Sequence, residues 1–464
     1  MLKIFFLVFM VGGVPVAIAM AGASLVYILI SGTLPPFVVI HRMVSGIDSF
    51  PLLAVPFFIL AGNLMNNAGI TTRIYNFALA LVGWMKGGLG HVNVIGSVIF
   101  AGMSGTAIAD AAGLGTIEIK AMKEHGYSTE FSVGVTAASA TLGPIIPPSL
   151  PFVIYGMMGN VSIGALFLAG ILPGAMLALL MMLTVAYYAH KNKWGADFKF
   201  SRTRLLKALA ELAVVIGWPL LLWVVVSHIG APAQLSVFVG LALLFVLDKI
   251  FKFQALLPIM TPVLLIGGMT TGLFTPTEGA IAACVWAMIL GFAWYRTLSW
   301  KMFVKVCLDT VETTSTILFI VAAASIFGWM LTATGVTADI ARWVLAFTKE
   351  AWVFLLLANL LMLFVGCFLE PTAAITILVP LLLPIALQLG IDPVHFGLVM
   401  VLNLMIGLLH PPMGLVLFVL ARVANLSLER TTMAILPWLV PLLVSLGIIT
   451  YMPALVLWLP KMFF

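Results

Sequence analysis

Gly143-Pro-Ile-Ile-Pro-Pro-Ser149 and Gly407-Leu-Leu-His-Pro-Pro-Met413 share a pattern in which a Pro-Pro pair begins four residues after a glycine. The two pairs lie 411 − 147 = 264 residues apart. Proline lacks a backbone N–H donor and clashes with the preceding turn, so each stretch interrupts a helix. Within an apolar segment, an interruption is tolerated only where the freed backbone is buried in protein or lines a cavity. Two interruptions at matching positions therefore predict the central binding site of a secondary transporter.

The composition is typical of a helical membrane protein. Of the 464 residues, 63% are hydrophobic and 8% are charged, and the mean hydropathy is +1.21. Soluble proteins carry about 25% charged residues. Apolar runs long enough to cross a bilayer recur along the chain. We therefore predict an all-α polytopic membrane protein without a soluble domain.

The charge distribution predicts the orientation of the chain. The net charge of +6 does not indicate a nucleic-acid partner, because the basic residues are spread thinly between apolar segments. Six Lys or Arg residues lie between His190 and Lys207 and place that segment in the cytoplasm. Working outward from it puts the N-terminus in the cytoplasm.

Apolar runs predict eleven spans near 4–32, 51–68, 130–158, 162–189, 208–228, 232–249, 255–273, 278–295, 308–332, 394–424 and 431–458. The first run continues through Ile30, so we expect a retained span rather than a cleaved signal peptide. The spans 130–158 and 394–424 are the two broken helices.

Two further apolar segments, 92–125 and 352–388, lie between elements that begin and end on the same side of the membrane. Each has a small, polar middle, Ser104-Gly-Thr-Ala107 in the first and Glu370-Pro-Thr-Ala373 in the second. We predict re-entrant hairpins whose tips meet the broken helices near the midplane.

Other landmarks repeat at nearly the same offset as the proline pairs. Gly69 matches Gly335 at 266 residues, and Pro173 matches Pro437 at 264. Such steady offsets predict an internal repeat. Repeat one covers 1–190 and repeat two covers 262–464, with a cytoplasmic loop and linker helices between them at 191–261. Three spans separate the repeats, so the second is inverted relative to the first, as expected for alternating access.

At these residues the chain resembles the large membrane subunit of tripartite ATP-independent periplasmic (TRAP) transporters. The matching stretches are Ser49–Gly62, Ser104–Thr106, Gly143–Ser149, Leu273–Glu278, Gly390–Gly397 and the Pro411-Pro412 pair. The resemblance implies an elevator-type, sodium-coupled importer of organic acids in the bacterial inner membrane. It also implies two protein partners, a small four-helix membrane subunit and a soluble periplasmic substrate-binding protein.

The chain departs from the family pattern in two respects. The family core usually has one helix between the repeats, whereas residues 208–250 are predicted to form an added hairpin. No sequence of the small subunit is fused to this chain, so we expect a separate polypeptide to supply it.

Sodium prefers oxygen ligands, and backbone carbonyls freed at broken helices supply them without a charged side chain. One predicted sodium site sets the first hairpin tip against the first break and comprises Ser104, Gly105, Thr106, Gly143 and Pro144. The second sets the other tip against the second break and comprises Thr372, Ala373 and Gly407. Small residues at hairpin tips can instead serve only close packing.

An anionic substrate would be received by helix N-termini at the tips and breaks. The candidate substrate-binding residues are Ser104, Pro147, Ser149, Asn160, Thr372 and Pro411. Asn160 alternatively satisfies only its own loop, and Arg422 is either a ligand or a cytoplasmic anchor. The substrate itself is left open between a C4-dicarboxylate, a sialic acid and another sugar acid.

Acidic residues inside a membrane are costly and call for a function. Asp110 and Glu370 lie at the hairpin tips, whereas Glu278 either caps its own helix after Thr275 or takes part in transport. His410 leaves open a proton-coupled organic-anion transporter that acts without a binding protein.

An enzyme is the main alternative from another class. Neither the His-Glu-x-x-His pattern of metalloproteases nor the Gly-x-Ser-x-Gly pattern of hydrolases occurs. We therefore expect no catalytic residues and no cofactor, with Na⁺ as the coupling ion.

Overall fold

The computed structural model describes residues 1–32, 34–229, 233–253, 255–270, 273–411 and 414–463. The regular structure of these residues is helical. The helices of the first part are α1 (Leu2–Val11), α2 (Val16–Ser31), α3 (Phe37–Ile47), α4 (Ala54–Asn67), α5 (Ile70–Val82), α6 (Gly88–Ser104), α7 (Ala107–Ala112), α8 (Leu114–Glu124), α9 (Thr129–Ala140), α10 (Leu150–Gly159), α11 (Ile163–Lys191), α12 (Arg202–Ile229) and α13 (Ala233–Phe251).

The remaining helices are α14 (Leu256–Thr270), α15 (Pro276–Met288), α16 (Trp300–Ala333), α17 (Val336–Phe347), α18 (Ala351–Gly366), α19 (Pro371–Gln388), α20 (Pro393–Gly407), α21 (Leu415–Ala424), α22 (Leu428–Tyr451), α23 (Pro453–Leu457) and α24 (Pro460–Phe463). A 3₁₀ turn at Phe50–Leu53 precedes α4, and a π-helix at Ile289–Trp294 extends α15.

Six helices in the described ranges are long and apolar enough to cross a membrane. They are α4 with its 3₁₀ turn, α11, α15 with its π-helix, α16, α19 and α22. The chain is thus an all-helical, polytopic membrane protein, as its composition predicts. The inverted relation of the two repeats stays a prediction.

Side-chain caps fix the starts of the helices that surround the breaks. Ser128 and Ser149 begin α9 and α10, each accepting a hydrogen bond from the N–H three residues later. Ser162 and Ser427 begin α11 and α22 in the same way. Such a cap stabilises a helix by about 1 kcal/mol.

The turns that precede these caps also match between the two parts. Asn160 and Asn425 end α10 and α21 with φ of 51° and 55°. Gly69 and Gly335 begin α5 and α17 with φ of 70° and 72°. Left-handed backbone of this kind favours glycine and asparagine. Residues about 265 apart therefore adopt the same local conformation.

The prediction of a single span at 4–32 is wrong. Gly12 ends α1, Gly13 is left-handed with φ of 77°, and Pro15 precedes the first turn of α2. The two helices then pack against each other. The sequence carried this signal, because two glycines followed by a proline are sufficient to end a helix.

Three amphipathic helices, α3, α5 and α17, were not predicted. They contain 11 to 13 residues, and about 20 apolar residues are needed to cross a bilayer. A search for long apolar runs therefore misses them, although their apolar residues recur at helical spacing. Helix α3 packs on α16, where a Cβ at Gly46 would lie 2.3 Å from Ser325 Cβ.

The packing brings both predicted hairpins together. Helix α10, the second half of the first broken helix, packs on α19 and α20. Helix α21, the second half of the other broken helix, packs on α7 and α9. The long helix α16 packs on α4 and α19 and so joins the hairpin region to its surroundings. The linker helices α12 and α13 pack together, and α12 also contacts α5 and α14.

Candidate functional site

A cavity of about 910 Å³ opens between the two hairpin tips and the helices α4 and α16. Four of the residues predicted from the sequence line it: Ser104, Thr106, Pro144 and Thr372. They come from both hairpins and from the first break. Residues about 270 apart in the chain therefore share one wall of the cavity.

The first hairpin tip lies directly against the first break. Helix α6 ends at Ser104, Gly105 is left-handed with φ of 63°, and Thr106 caps α7 by accepting from Ala109 N over 3.3 Å. A Cβ at Gly105 would lie 2.6 Å from Pro148 O. Only glycine permits this approach of two backbones.

The same contact is made from the side of the break. A Cβ at Gly143 would lie 3.0 Å from Thr106 O, and Leu150 N donates to Gly105 O over 3.4 Å. Carbonyl groups of the tip and of the break therefore meet beside the cavity. Ser104, which stands at this junction, is 4% exposed, and its hydroxyl has no hydrogen-bond partner among the described residues.

The second hairpin tip is organised around Glu370. Its carboxylate caps α19, accepting from Ala373 N at 3.4 Å and from the Thr372 hydroxyl. The second break reaches this hairpin through Gly366, because a Cβ at Gly407 would lie 2.7 Å from Gly366 Cα. Sequence reasoning missed Gly366. An offset of 264 from Gly102 was the available signal.

The other predicted residues lie away from the cavity lining. Ser149 is fully buried, donating to Pro144 O and accepting from Phe152 N. Asn160 is exposed and ends α10, which agrees with its alternative role in the loop. The remaining ones, which lie beside or behind the lining, are Gly105, Gly143, Pro147, Ala373, Gly407 and Pro411. Pro412 falls outside the described residues.

Four ionisable residues singled out in the sequence also lie off the lining. Glu278 forms a capping box with Thr275, whose N–H donates to the Glu278 carboxylate over 2.8 Å. Arg422 is exposed in the last turn of α21. The ring of His410 lies 3.1 Å from Cys367 Sγ, and Asp110 is buried behind the first tip.

Residues of α4, α5 and α16 complete the cavity, and sequence reasoning missed them. Asn63 donates to Thr310 over 3.2 Å, and Thr71 donates to Asn66 over 3.1 Å. Asn63, Asn66 and Thr71 line the cavity, and α16 adds Glu312, Thr313 and Thr316. Polar residues at helical spacing within apolar segments were the signal.

The charge of the lining is negative. Glu312 and Glu370 contribute two carboxyl groups, and no Lys, Arg or His stands among the described lining residues. Hydroxyl and amide groups supply the remaining polar surface. The cavity is therefore suited to cations and to ligands rich in hydroxyl groups.

Comparison with known proteins agrees with this architecture. The family model described as "Tripartite ATP-independent periplasmic transporter, DctM component" matches residues 4–455. The "Sialic acid TRAP transporter large permease protein SiaM" of Vibrio cholerae is 40% identical over 97% of this chain and 96% of its own length. The "C4-dicarboxylate TRAP transporter large permease protein DctM" of Pseudomonas aeruginosa is 37% identical over 89% of this chain and 87% of its own length.

Among solved structures, the YdaH transporter of Alcanivorax borkumensis has a similar fold. Its TM-score is 0.57 at 13% identity, over 89% of this chain and 86% of the YdaH chain. At this identity the likeness concerns the fold alone. The relatives are permeases, so this chain is a transporter rather than an enzyme. It belongs to the DctM component family of tripartite ATP-independent periplasmic transporters.

Proposed function

We propose that the chain imports an organic acid across the bacterial inner membrane, driven by sodium ions, with its N-terminus in the cytoplasm. A small four-helix membrane subunit and a periplasmic binding protein would complete the system. The names of the relatives favour a sialic acid or a C4-dicarboxylate as the substrate. We name no single acid.

Ser104 carries this proposal. Its hydroxyl is buried at the cavity without a partner among the described residues, beside the carbonyls of the tip and the break. An unpaired buried oxygen is costly unless a ligand satisfies it. Sodium is a hard cation and takes hydroxyl and carbonyl oxygens of this kind.

The negative lining supports coupling to a cation. An organic anion that enters beside Glu312 and Glu370 is repelled, because like charges in a poorly solvated site interact strongly. Sodium ions at the tips would offset this repulsion and act as the largest local charges. Binding of anion and sodium would then be mutually dependent, which is the thermodynamic basis of symport.

An elevator movement would use the same geometry. The moving body would contain the hairpins and broken helices, α6 to α10 and α18 to α21, while α4 and α16 would supply the fixed wall. Matching turns in the two parts support an inverted repeat, and such repeats underlie alternating access in many transporters.

Uptake into proteoliposomes tests the proposal. The chain would be reconstituted with its small subunit and binding protein, and labelled organic acids would be offered with an inward sodium gradient. We expect uptake to require both the gradient and the binding protein. Uptake that follows a proton gradient alone, without a binding protein, would instead establish the proton-coupled alternative.

The variant Ser104→Ala tests the site within that assay. We expect the sodium concentration at half-maximal uptake to rise by about tenfold, which corresponds to about 1.4 kcal/mol for one lost ligand. Ser24→Ala is the matched control, because Ser24 is also buried but donates within its own helix to Met20 O. An unchanged sodium dependence in Ser104→Ala would remove Ser104 from the site.

A further inference from the structure

A buried polar network joins α6, α7, α8 and α9 behind the first hairpin tip. Its six side chains are between 0 and 2% exposed: Asn93, Ser97, Asp110, Glu118, Thr136 and Ser139. Asn93 Nδ2 donates to Glu118 Oε2 over 2.5 Å and to Thr136 Oγ1 over 2.8 Å. Ser139 donates to Asn93 Oδ1 over 2.7 Å. None of the six lines the cavity.

The network contains two carboxyl groups with too few donors. Ser97 donates to Asp110 and Asn93 donates to Glu118, but Asp110 Oδ2 and Glu118 Oε1 have no partner among the described residues. The two carboxyl groups are close enough for each to feel the charge of the other. Glu118 Oε1 also abuts the backbone, since a Cβ at Gly96 would lie 2.8 Å from it.

No basic side chain faces Glu118 from the described parts of the helices packed around it. On α5, the uncharged Tyr75 faces Glu118, while Arg73 lies over the ring of Tyr295. On α6, His91 is two positions before Asn93 and so lies on another face of the helix. The remaining charged groups of α8, α9 and α21 are exposed: Lys120, Lys123, Glu124, Glu130 and Arg422.

The second part of the chain closes the corresponding junction without any carboxyl group. Asn359 and Asn403 stand 266 and 264 residues after Asn93 and Ser139. Asn403 donates to Asn359 Oδ1 over 2.8 Å, and Asn359 donates to Thr450 over 3.1 Å. At an offset of 266, Thr376 and Pro384 replace Asp110 and Glu118. Packing of this junction therefore does not require carboxyl groups.

We propose that Glu118 is a proton-binding site and carries a proton in the folded protein at neutral pH. Two buried like charges without a counter-ion are strongly unfavourable, and a buried acid avoids that cost by binding a proton. The proton also gives Glu118 the O–H donor that the network lacks, with the free oxygen of Asp110 as an available acceptor. Asp110 retains its charge, because it accepts from Ser97 in the first turn of α7.

The site couples hairpin one to pH. Glu118 joins α8 to α6 and α9, and the first turn of α7 leads from Asp110 to Thr106 at the cavity. Loss of the proton at alkaline pH would place a second charge in the network and loosen the hairpin. Uptake would then fall as the pH rises, and a neutral side chain at 118 would prevent that fall.

Infrared spectroscopy of the purified full-length chain tests the bound proton directly. At neutral pH in sodium buffer, we expect a C=O stretching band of a protonated carboxylic acid that is absent in Glu118→Gln. The control Glu124→Gln changes an exposed residue of the same helix and should retain the band. Should Glu118→Gln not fold, the wild-type chain with ¹³C-labelled glutamate identifies the band by its isotope shift.

The contrary results are equally defined. A spectrum without a protonated glutamate band at neutral pH overturns the proposal. A band that appears only after sodium is replaced by a large organic cation also overturns it, because Glu118 would then bind the metal ion. These measurements need no solute, so they stand independently of sodium-coupled uptake.

The pH profile of uptake tests the consequence. We expect wild-type uptake to lose at least half of its rate at alkaline pH, while Glu118→Gln keeps the neutral rate across the same range. The glutamine amide preserves the acceptor for Asn93 and adds a donor, so it imitates the protonated acid. A Glu118→Gln profile that falls in parallel with the wild type would show that the site does not control transport.

Discussion

Gly366 and Gly407 are in backbone contact, and a Cβ at 407 would lie 2.7 Å from Gly366 Cα. Gly366 ends α18 in the second hairpin, and Gly407 ends α20 at the second break. The first hairpin is held to the first break by a similar backbone contact between Gly105 and Pro148. Each broken helix is thus fitted to a hairpin at a position where a side chain cannot be accommodated.

Gly407→Ala should therefore destabilise the protein. The added methyl group meets backbone rather than a flexible side chain, and overpacking of this kind costs about 1–3 kcal/mol. We expect a lower temperature of unfolding in detergent and reduced uptake. Gly447→Ala is the matched control, because a Cβ at this position in α22 meets nothing within 4 Å. Equal unfolding temperatures for the two variants would contradict the packing argument.

The ends of the helices around the breaks were predictable because their signals are local. Helix α9 ends at Ala140, shortly before the Gly143–Pro148 stretch, and α20 ends at Gly407 itself. Proline and glycine act on their own turn of the chain, so the sequence is sufficient to place such interruptions.

The scaffold side of the cavity could not be predicted in the same way. Glu312 lies on α16, far in sequence from both tips, and reaches the cavity only because α16 packs on α4 and α19. The approach of Gly366 to Gly407 likewise depends on tertiary packing. The carboxyl network around Glu118 was missed because the residues of α8 were assigned to a hairpin arm without regard to their neighbours on α6 and α9.

Asp197 should hold the start of hairpin one in place. Its Oδ2 accepts from Leu89 N over 2.8 Å and from the Tyr127 hydroxyl over 2.6 Å. Burial and the bond to Asp197 raise the pKa of Tyr127, so its phenol remains a donor well above neutral pH. We expect Asp197→Ala to destabilise this junction by about 1–2 kcal/mol, measured as faster amide hydrogen exchange at Leu89. Asp197→Asn keeps an acceptor oxygen and should lie between the wild type and alanine.

Glu278 should act in stability rather than in transport. Its carboxylate accepts from Thr275 N in the capping box that begins α15, and it does not line the cavity. We expect Glu278→Gln to keep the sodium dependence of uptake and Glu278→Ala to lower the unfolding temperature. A change in sodium dependence in the glutamine variant would instead favour the transport role that its motif leaves open.

Glu312→Gln should increase the affinity for an anionic solute. Glu312 projects from α16 into a cavity whose described lining residues include no basic side chain, so its charge repels a carboxylate. Glutamine removes the charge while keeping the size, and we expect KM for an organic acid to fall by about threefold at low ionic strength. Because Glu312 is exposed, added salt should reduce the difference between variant and wild type. Glu350→Gln is the control, since Glu350 is an exposed carboxylate outside the lining. A higher KM in Glu312→Gln would show that the carboxylate binds the coupling cation, since loss of a cation ligand weakens the anion bound beside it.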